Sequence, residues 1–208
     1  MITDINQLNP SKTYTYADYL AWRFKERVEL IRGHIRKMSP APSDAHQKVS
    51  INLSTAFSIF LKKKKCQVRY APYDVRLIIP SETPISSKRK KGATAVSDAE
   101  IQTVVQPDIL VVCDPSKIDA KGCLGAPDLV VEILSEGNNR DDLVEKFAIY
   151  ESAGVREYWI VHPHEQTITI YAPNERGKYA AAKPFVPGEM IHSAVLPGLE
   201  IAVGEVFE

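Results

Sequence analysis

The sequence predicts an α/β (α+β) fold, a mixed central β-sheet flanked by α-helices, on three observations. Two apolar runs, Ile109-Leu110-Val111-Val112-Cys113 and Leu129-Val130-Val131-Glu132-Ile133-Leu134, are each introduced by Pro-Asp. Near-continuous β-branched runs without alternation are what central strands covered on both faces look like. From Ala45 to about Lys62 the residues Val49, Leu53, Phe57, Phe60 and Leu61 recur at helical spacing, which marks a long amphipathic helix. Helical and strand-like segments alternate along the chain, the order expected of helices laid on a sheet.

Taken in order, Thr15 and Asp18 have the spacing of a capping box, so a helix is expected from Thr15 to about Lys25. Val28 to Met38, interrupted by Gly33, reads as a hairpin. Pro40 to Asp44 is a loop ending in good N-cap residues, and the long helix follows. Gln67 to Ile79 suggests strand, and Pro80 to Asp98 is a polar surface loop. The two apolar runs come next, joined by a connection from Asp114 to Ala126. A helix from about Asp141 to Ala153 stops at Gly154, and Tyr158-Trp159-Ile160-Val161-His162 and Thr167-Ile168-Thr169-Ile170-Tyr171 form a hairpin. One domain over residues 1–208 is expected, with a core of about 15–171 and a β-rich extension from 172 to 208.

Composition narrows the class. The 208 residues are 44% hydrophobic and 25% charged, with 26 Lys and Arg against 26 Asp and Glu. This excludes collagen-like, coiled-coil and wholly disordered chains. It also excludes coating of nucleic acid through bulk positive charge, while leaving room for a local basic site. No signal peptide and no apolar run of membrane-spanning length is visible, so a cytoplasmic protein without membrane association is expected. Cys66, Cys113 and Cys123 are odd in number and form no CxxC pair, which argues against a disulfide framework or structural zinc. Cys113, inside an apolar run, reads as a small buried hydrophobe.

Chemistry enters with Glu132, in the middle of an apolar strand on the face of Val130 and Leu134. A buried carboxylate is expensive unless it is protonated, paired or bound to a metal. A structural ion pair is the plain explanation. The alternative gains from Asp108 at the entry of the preceding apolar run: if the two strands are neighbours, both carboxylates converge. Lys146 borders the stripe formed by Leu143, Phe147 and Tyr150 on the next helix and either snorkels to solvent or joins the acids. Two hard oxygen ligands would hold Mg²⁺ or Mn²⁺, and an ammonium beside them would orient a water or neutralise charge on a phosphate.

Several segments together resemble the Uma2-type (DUF820) family of the PD-(D/E)xK restriction-endonuclease-like superfamily. They are Val28-Glu29-Leu30-Ile31-Arg32-Gly33, Ser39-Pro40 with His46, Gln106-Pro107-Asp108-Ile109, Pro127 to Ser135, and Lys146 through Tyr150 to Val161. The resemblance covers roughly Thr15 to Tyr171. It implies a restriction-endonuclease-like core and a metal-dependent phosphodiesterase acting on DNA. Asp108 is similar to the acid of the Pro-Asp motif and Glu132 to the acid of (D/E)xK. Leu134 stands where the motif lysine would be, and Lys146 is similar to a lysine moved to the following helix. Glu29 resembles the early glutamate of the family, either a further metal ligand or an exposed hairpin charge.

The remaining expectations are peripheral. His46, on the packed face of its helix, either lines the cleft or is a satisfied core histidine, and Tyr150, neighbouring Lys146, either lines the site or is a core aromatic. Lys88, Arg89, Lys90 and Lys91 are candidates for nucleic-acid phosphate contacts, as are Lys62 to Lys65, whose alternative is a solvated helix end. Three functions fit: a DNA endonuclease, a non-catalytic nucleic-acid-binding or interaction module on the same fold, or a hydrolase of small phosphate esters. A homodimer through the apolar, proline-rich stretch from Phe185 to Leu199 is also expected as a possibility.

Overall fold

The computed structural model describes residues 2–38, 42–80, 96–135, 140–180 and 183–208. Lys88, Arg89, Lys90 and Lys91 lie outside the described residues.

A capping box closes the first helix, α1 (Tyr16–Tyr19), with Thr15 and Asp18 satisfying each other's backbone N–H groups. The helix stops well before the expected Lys25, because the chain turns at Leu20 so that Trp22 can pack with Tyr14 and Phe24. The hairpin of β1 (Val28–Ile31) and β2 (His34–Lys37) turns at Arg32 and Gly33, both with positive φ. That pairing is the two-residue turn whose twist matches the strands. The long helix α2 (Asp44–Leu61) is capped by Ser43 and buries His46, Val49, Leu53, Phe57 and Leu61.

The expected strand from Gln67 to Ile79 is two strands, β3 (Gln67–Tyr70) and β4 (Val75–Leu77), which break at Ala71-Pro72 and enter different sheets. There follow β5 (Thr103–Val105) and β6 (Ile109–Val112), then β7 (Ile118–Asp119) and β8 (Gly122–Leu124) inside the expected connection. The second apolar run forms β9 (Leu129–Ile133) and is followed by helix α3 (Arg140–Ala153). The hairpin β10 (Glu157–His162) and β11 (Thr167–Tyr171) comes next. The C-terminal region holds β12 (Met190–His192), β13 (Glu200–Ala202) and a short helix, α4 (Val203–Phe207).

The class is as expected, but the strands divide between two large mixed sheets. One has the order β11-β10-β9-β6-β3 and the other β2-β1-β5-β4-β8-β7. On one face of the five-stranded sheet, Val49, Leu53 and Phe57 of α2 pack with Ile109, Val111, Leu129, Val131 and Trp159. Ile191, Val195, Leu196 and Leu199 fill the same layer, while Val186 and Met190 of the stretch expected to meet a second copy are exposed. The other face, through Leu110, Val130 and Tyr158, packs on Ile149 and Tyr150 of α3 and on Ile31, Val75 and Val105 of the six-stranded sheet. Both apolar runs are therefore covered on both faces, as their composition requires.

Two buried features were not legible in the sequence. Cys66 and Cys113 form a disulfide, where the cysteine count and spacing argued against a disulfide framework; Cys113 is half-buried rather than fully buried. The register of β3 on β6, with Gln67 opposite Val112, sets the two cysteines across from each other one step further on, a juxtaposition that sequence spacing cannot reveal. Glu157 is buried at the start of β10 and accepts hydrogen bonds from Trp159 Nε1 (3.0 Å), Ser193 Oγ (2.7 Å) and the Val195 backbone N–H (3.0 Å). It fastens the C-terminal segment to the central sheet. Glu157→Gln exchanges charge-assisted bonds for neutral ones and turns one acceptor into a donor. It is expected to cost about 1–3 kcal/mol, a lowering of Tm by about 2–12 °C in a thermal melt.

Candidate active site

Strand register brings the two acids together. β6 and β9 pair antiparallel with Ile109 opposite Val131 and Leu110 opposite Val130. Carried one residue further, the same register places Asp108 opposite Glu132, and side chains so opposed have Cβ atoms about 4.5–5.5 Å apart. Asp108 Oδ2 accepts the backbone N–H of Ile133 at 2.7 Å, which fixes its carboxylate against β9. Its Oδ1 lies 3.2 Å from Nε2 of His46, which projects from the first turn of α2. His46 thus looks into the cleft and is not a core histidine; its Nδ1 is buried with no hydrogen-bond partner.

Glu132 is buried at the middle of the arrangement. Tyr150 Oη donates to Glu132 Oε1 at 2.6 Å, and Lys146 Nζ stands 3.2 Å from one Glu132 oxygen and 3.3 Å from the other. Lys146 and Tyr150 are four residues apart on α3, so one helical turn places both over the same carboxylate. Lys146 thereby stands beside Glu132 in space, while Leu134 occupies the position two residues after the glutamate. Glu29 is buried, not an exposed hairpin charge. Its Oε2 lies 3.2 Å from Lys146 Nζ and its Oε1 accepts the backbone N–H of Gln106 at 2.8 Å.

The electrostatics follow from burial and this crowding of acids. Burial raises the pKa of Glu132 to about 8, with the charges of Asp108 and Glu29 adding to the rise and Lys146 opposing it. Burial works against the charge on Lys146, yet the carboxylates of Glu132, Glu29 and Asp142 hold its pKa well above the ordinary value. Tyr150 is likewise pushed upward, by burial and by the carboxylate it touches. The site is a negatively biased pocket in which Lys146 stays an ammonium and Glu132 is costly to ionise.

Among the described residues, no group of three or more His, Cys, Asp or Glu side chains is arranged to hold a metal ion. Of the expected ligands, Glu29 contacts Lys146 and the backbone of Gln106, and Asp108 and Glu132 face each other across the strand pair. Two hard oxygen donors at the floor of the cleft fit an ion such as Mg²⁺ or Mn²⁺, which keeps several waters, and the charges of Asp108 and Glu29, which add to the rise in the Glu132 pKa, favour added positive charge there.

These residues form the floor of a cleft of about 1110 Å³ that also touches Arg27, Arg36 and Lys37 of the hairpin. Sequence reading missed these three, and missed Gln106, whose side chain accepts from Arg27 at 2.7 Å and donates to Asp74 at 2.8 Å. The only sequence sign of Gln106 is its place before Pro107-Asp108. Arg36 is bidentate to Glu145 of α3, at 2.9 and 3.1 Å, linking the hairpin to the helix. Lys62 to Lys65 stand beyond the far end of α2, about 24 Å along the helix axis from His46, and Lys64 covers the Phe60 ring. All four are exposed. No described helix is long and apolar enough to cross a membrane.

No curated relative matches the sequence. A solved structure from Anabaena variabilis ATCC 29413, described as a putative nuclease belonging to DUF820, superposes with a TM-score of 0.68 at 19% identity, covering 93% of this chain and 97% of that one. At that identity the likeness speaks to the fold. A family model described as "Uma2: Putative restriction endonuclease" matches residues 16–204, a span that contains both large sheets and every residue of the site. The chain belongs to the Uma2 family.

Proposed function

We propose that the protein is a metal-dependent endonuclease that hydrolyses phosphodiester bonds of DNA. The observation that carries this reading is the opposition of Asp108 and Glu132 across one strand pair, with Lys146 within 3.3 Å of Glu132, on the floor of an open cleft. A cation such as Mg²⁺ or Mn²⁺ bound by Asp108 and Glu132 would supply Lewis acidity toward a phosphoryl oxygen and a more acidic water.

The chain's own groups have separable roles. The Ile133 N–H and His46 hold Asp108 in place, and Tyr150 holds Glu132. Lys146, kept protonated by Glu29 and Glu132, offers a fixed positive charge to an oxygen that gains negative charge during attack. Arg27 and Lys37 give the phosphate backbone sequence-independent contacts at the cleft edge, while Arg36 is held by Glu145. The reading as a non-catalytic module draws on Leu134, and the ammonium of Lys146 beside Glu132 favours the catalytic reading.

The test is incubation of supercoiled plasmid and linear DNA with wild type, Asp108→Ala and Glu132→Ala in Mg²⁺, in Mn²⁺ and in chelator. Nicking that needs the metal and both acids is expected. Equal nicking by the variants, or none with any substrate, would reject the reading.

A further inference from the structure

The two sides of the cleft differ in chemistry. From Val49 to Leu61, α2 carries no charged residue, although a surface helix normally turns charges to solvent on its outer face. Ser50, Ile51, Ser54, Thr55, Ser58 and Ile59 recur at helical spacing and line the cleft. Ile51 and Ile59 are 62% and 71% exposed, so neither is used by the core. Tyr70, on the edge strand β3, continues this side and is 64% exposed. Its neighbour Ala71 donates its backbone N–H to the Asp108 carbonyl at 3.0 Å, so the tyrosine stands close to the candidate metal site. The hairpin side presents Arg27, Arg36 and Lys37 instead.

Taking the nuclease reading as its basis, we infer that the cleft receives an unpaired nucleic-acid strand rather than a duplex. A duplex turns charged backbones toward whatever surrounds it and would call for basic groups on both sides. A single strand is amphiphilic, with phosphates along one edge and base faces along the other. The cleft matches that division: Arg27 and Lys37 face the phosphates, while Tyr70 offers a ring on which a base stacks and the two isoleucines offer apolar surface against which bases pack. The serine and threonine hydroxyls between them accept and donate hydrogen bonds without sequence preference. From Ile51 to Ile59 the helix advances about 12 Å, room for about three stacked nucleotides at roughly 3.4 Å each. The balanced net charge of the chain agrees, since binding that uses base stacking depends less on bulk positive charge.

The test measures fluorescence anisotropy of a labelled twelve-nucleotide oligothymidylate, and of its duplex with oligodeoxyadenylate, in chelator so that neither is cut. Wild type is expected to bind the single strand about ten-fold or more tightly than the duplex. Tyr70→Ala and Ile59→Asp, both at exposed positions, should each weaken single-strand binding by about ten-fold, with circular dichroism unchanged. Duplex binding equal to or tighter than single-strand binding, or no binding of the single strand, overturns the inference. So does a sedimentation result in which Ile59→Asp separates a dimer while leaving oligonucleotide affinity intact, which would assign the uncharged face to a second copy. Metal-dependent nicking of duplex alone would overturn the strand assignment and leave the nuclease reading standing. Tight single-strand binding with no cleavage in Mg²⁺ would do the reverse.

Discussion

Replacing Glu132 by glutamine is expected to lower metal-dependent nicking by at least about 1000-fold while leaving the protein folded. Glutamine keeps the shape and an acceptor for Tyr150 Oη, which now approaches Oε1 at 2.6 Å. It removes the negative charge that a cation needs. A 1000-fold loss is about 4 kcal/mol of transition-state stabilisation, the scale of the several kcal/mol that a bound cation contributes in phosphoryl chemistry. The burial cost points the same way for stability, because a neutral side chain at this position escapes the desolvation that raises the pKa of Glu132 to about 8. Glu132→Gln should therefore be inactive yet at least as stable as wild type without metal. The check is a plasmid nicking time course beside a thermal melt. An active variant would remove Glu132 from the chemistry, and an unfolded one would make it structural.

Lys146→Ala is expected to destabilise the metal-free protein by about 3–5 kcal/mol, a loss of about 6–20 °C in Tm. The lysine is the cation within 3.2 Å of both Glu29 and Glu132, and all three side chains are buried. Its removal leaves the buried carboxyl groups of Glu29 and Glu132 crowded at the floor of the cleft without countercharge. The penalty should depend on pH in a definite direction. Glu132 has a folded-state pKa raised from 4.5 to about 8, so its contribution is fully present below pH 4.5 and is lost as pH rises through 8. Without Lys146 the raised pKa climbs further. The variant should therefore lose more ground to wild type at pH 8.5 than at pH 5. Melts at the two pH values check this, and a penalty that shrinks as pH rises would show that Lys146 does not counter Glu132. Lys146→Met, which restores apolar volume without charge, separates the electrostatic loss from the packing loss.

The local parts of this account were legible in the sequence. A glutamate inside an uninterrupted apolar run announces a functional or paired carboxylate, and the period of α3 puts Lys146 and Tyr150 on one stripe. The capping box at Thr15 and Asp18 and the core face of α2 were readable for the same reason, since each depends on neighbours within a turn or two. What was hidden depends on register between distant strands. The antiparallel match of Ile109 to Val131 decides that Asp108 faces Glu132, and no local pattern states it. The same holds for Cys66 and Cys113, brought opposite by the β3–β6 register, and for Glu157, whose partners Ser193 and Val195 arrive from the C-terminal segment. Glu29 could be read from the sequence as a further ligand or as an exposed hairpin charge, because its partners, Lys146 of α3 and the backbone of Gln106, come from distant parts of the chain. The uncharged stretch of α2 was visible in the sequence, but only the cleft beside it gives it meaning.

The central claim is that Asp108 and Glu132 share one divalent cation, and it is tested most directly by titrating the protein with Mn²⁺ and following the free ion by electron paramagnetic resonance. Wild type is expected to bind one ion. Affinity should increase up to about ten-fold per pH unit toward pH 8, because the proton on Glu132 competes with the metal. Asp108→Asn and Glu132→Gln should each abolish that binding, and Glu29→Gln should leave it measurable. Binding that survives in either of the first two variants would contradict the claim.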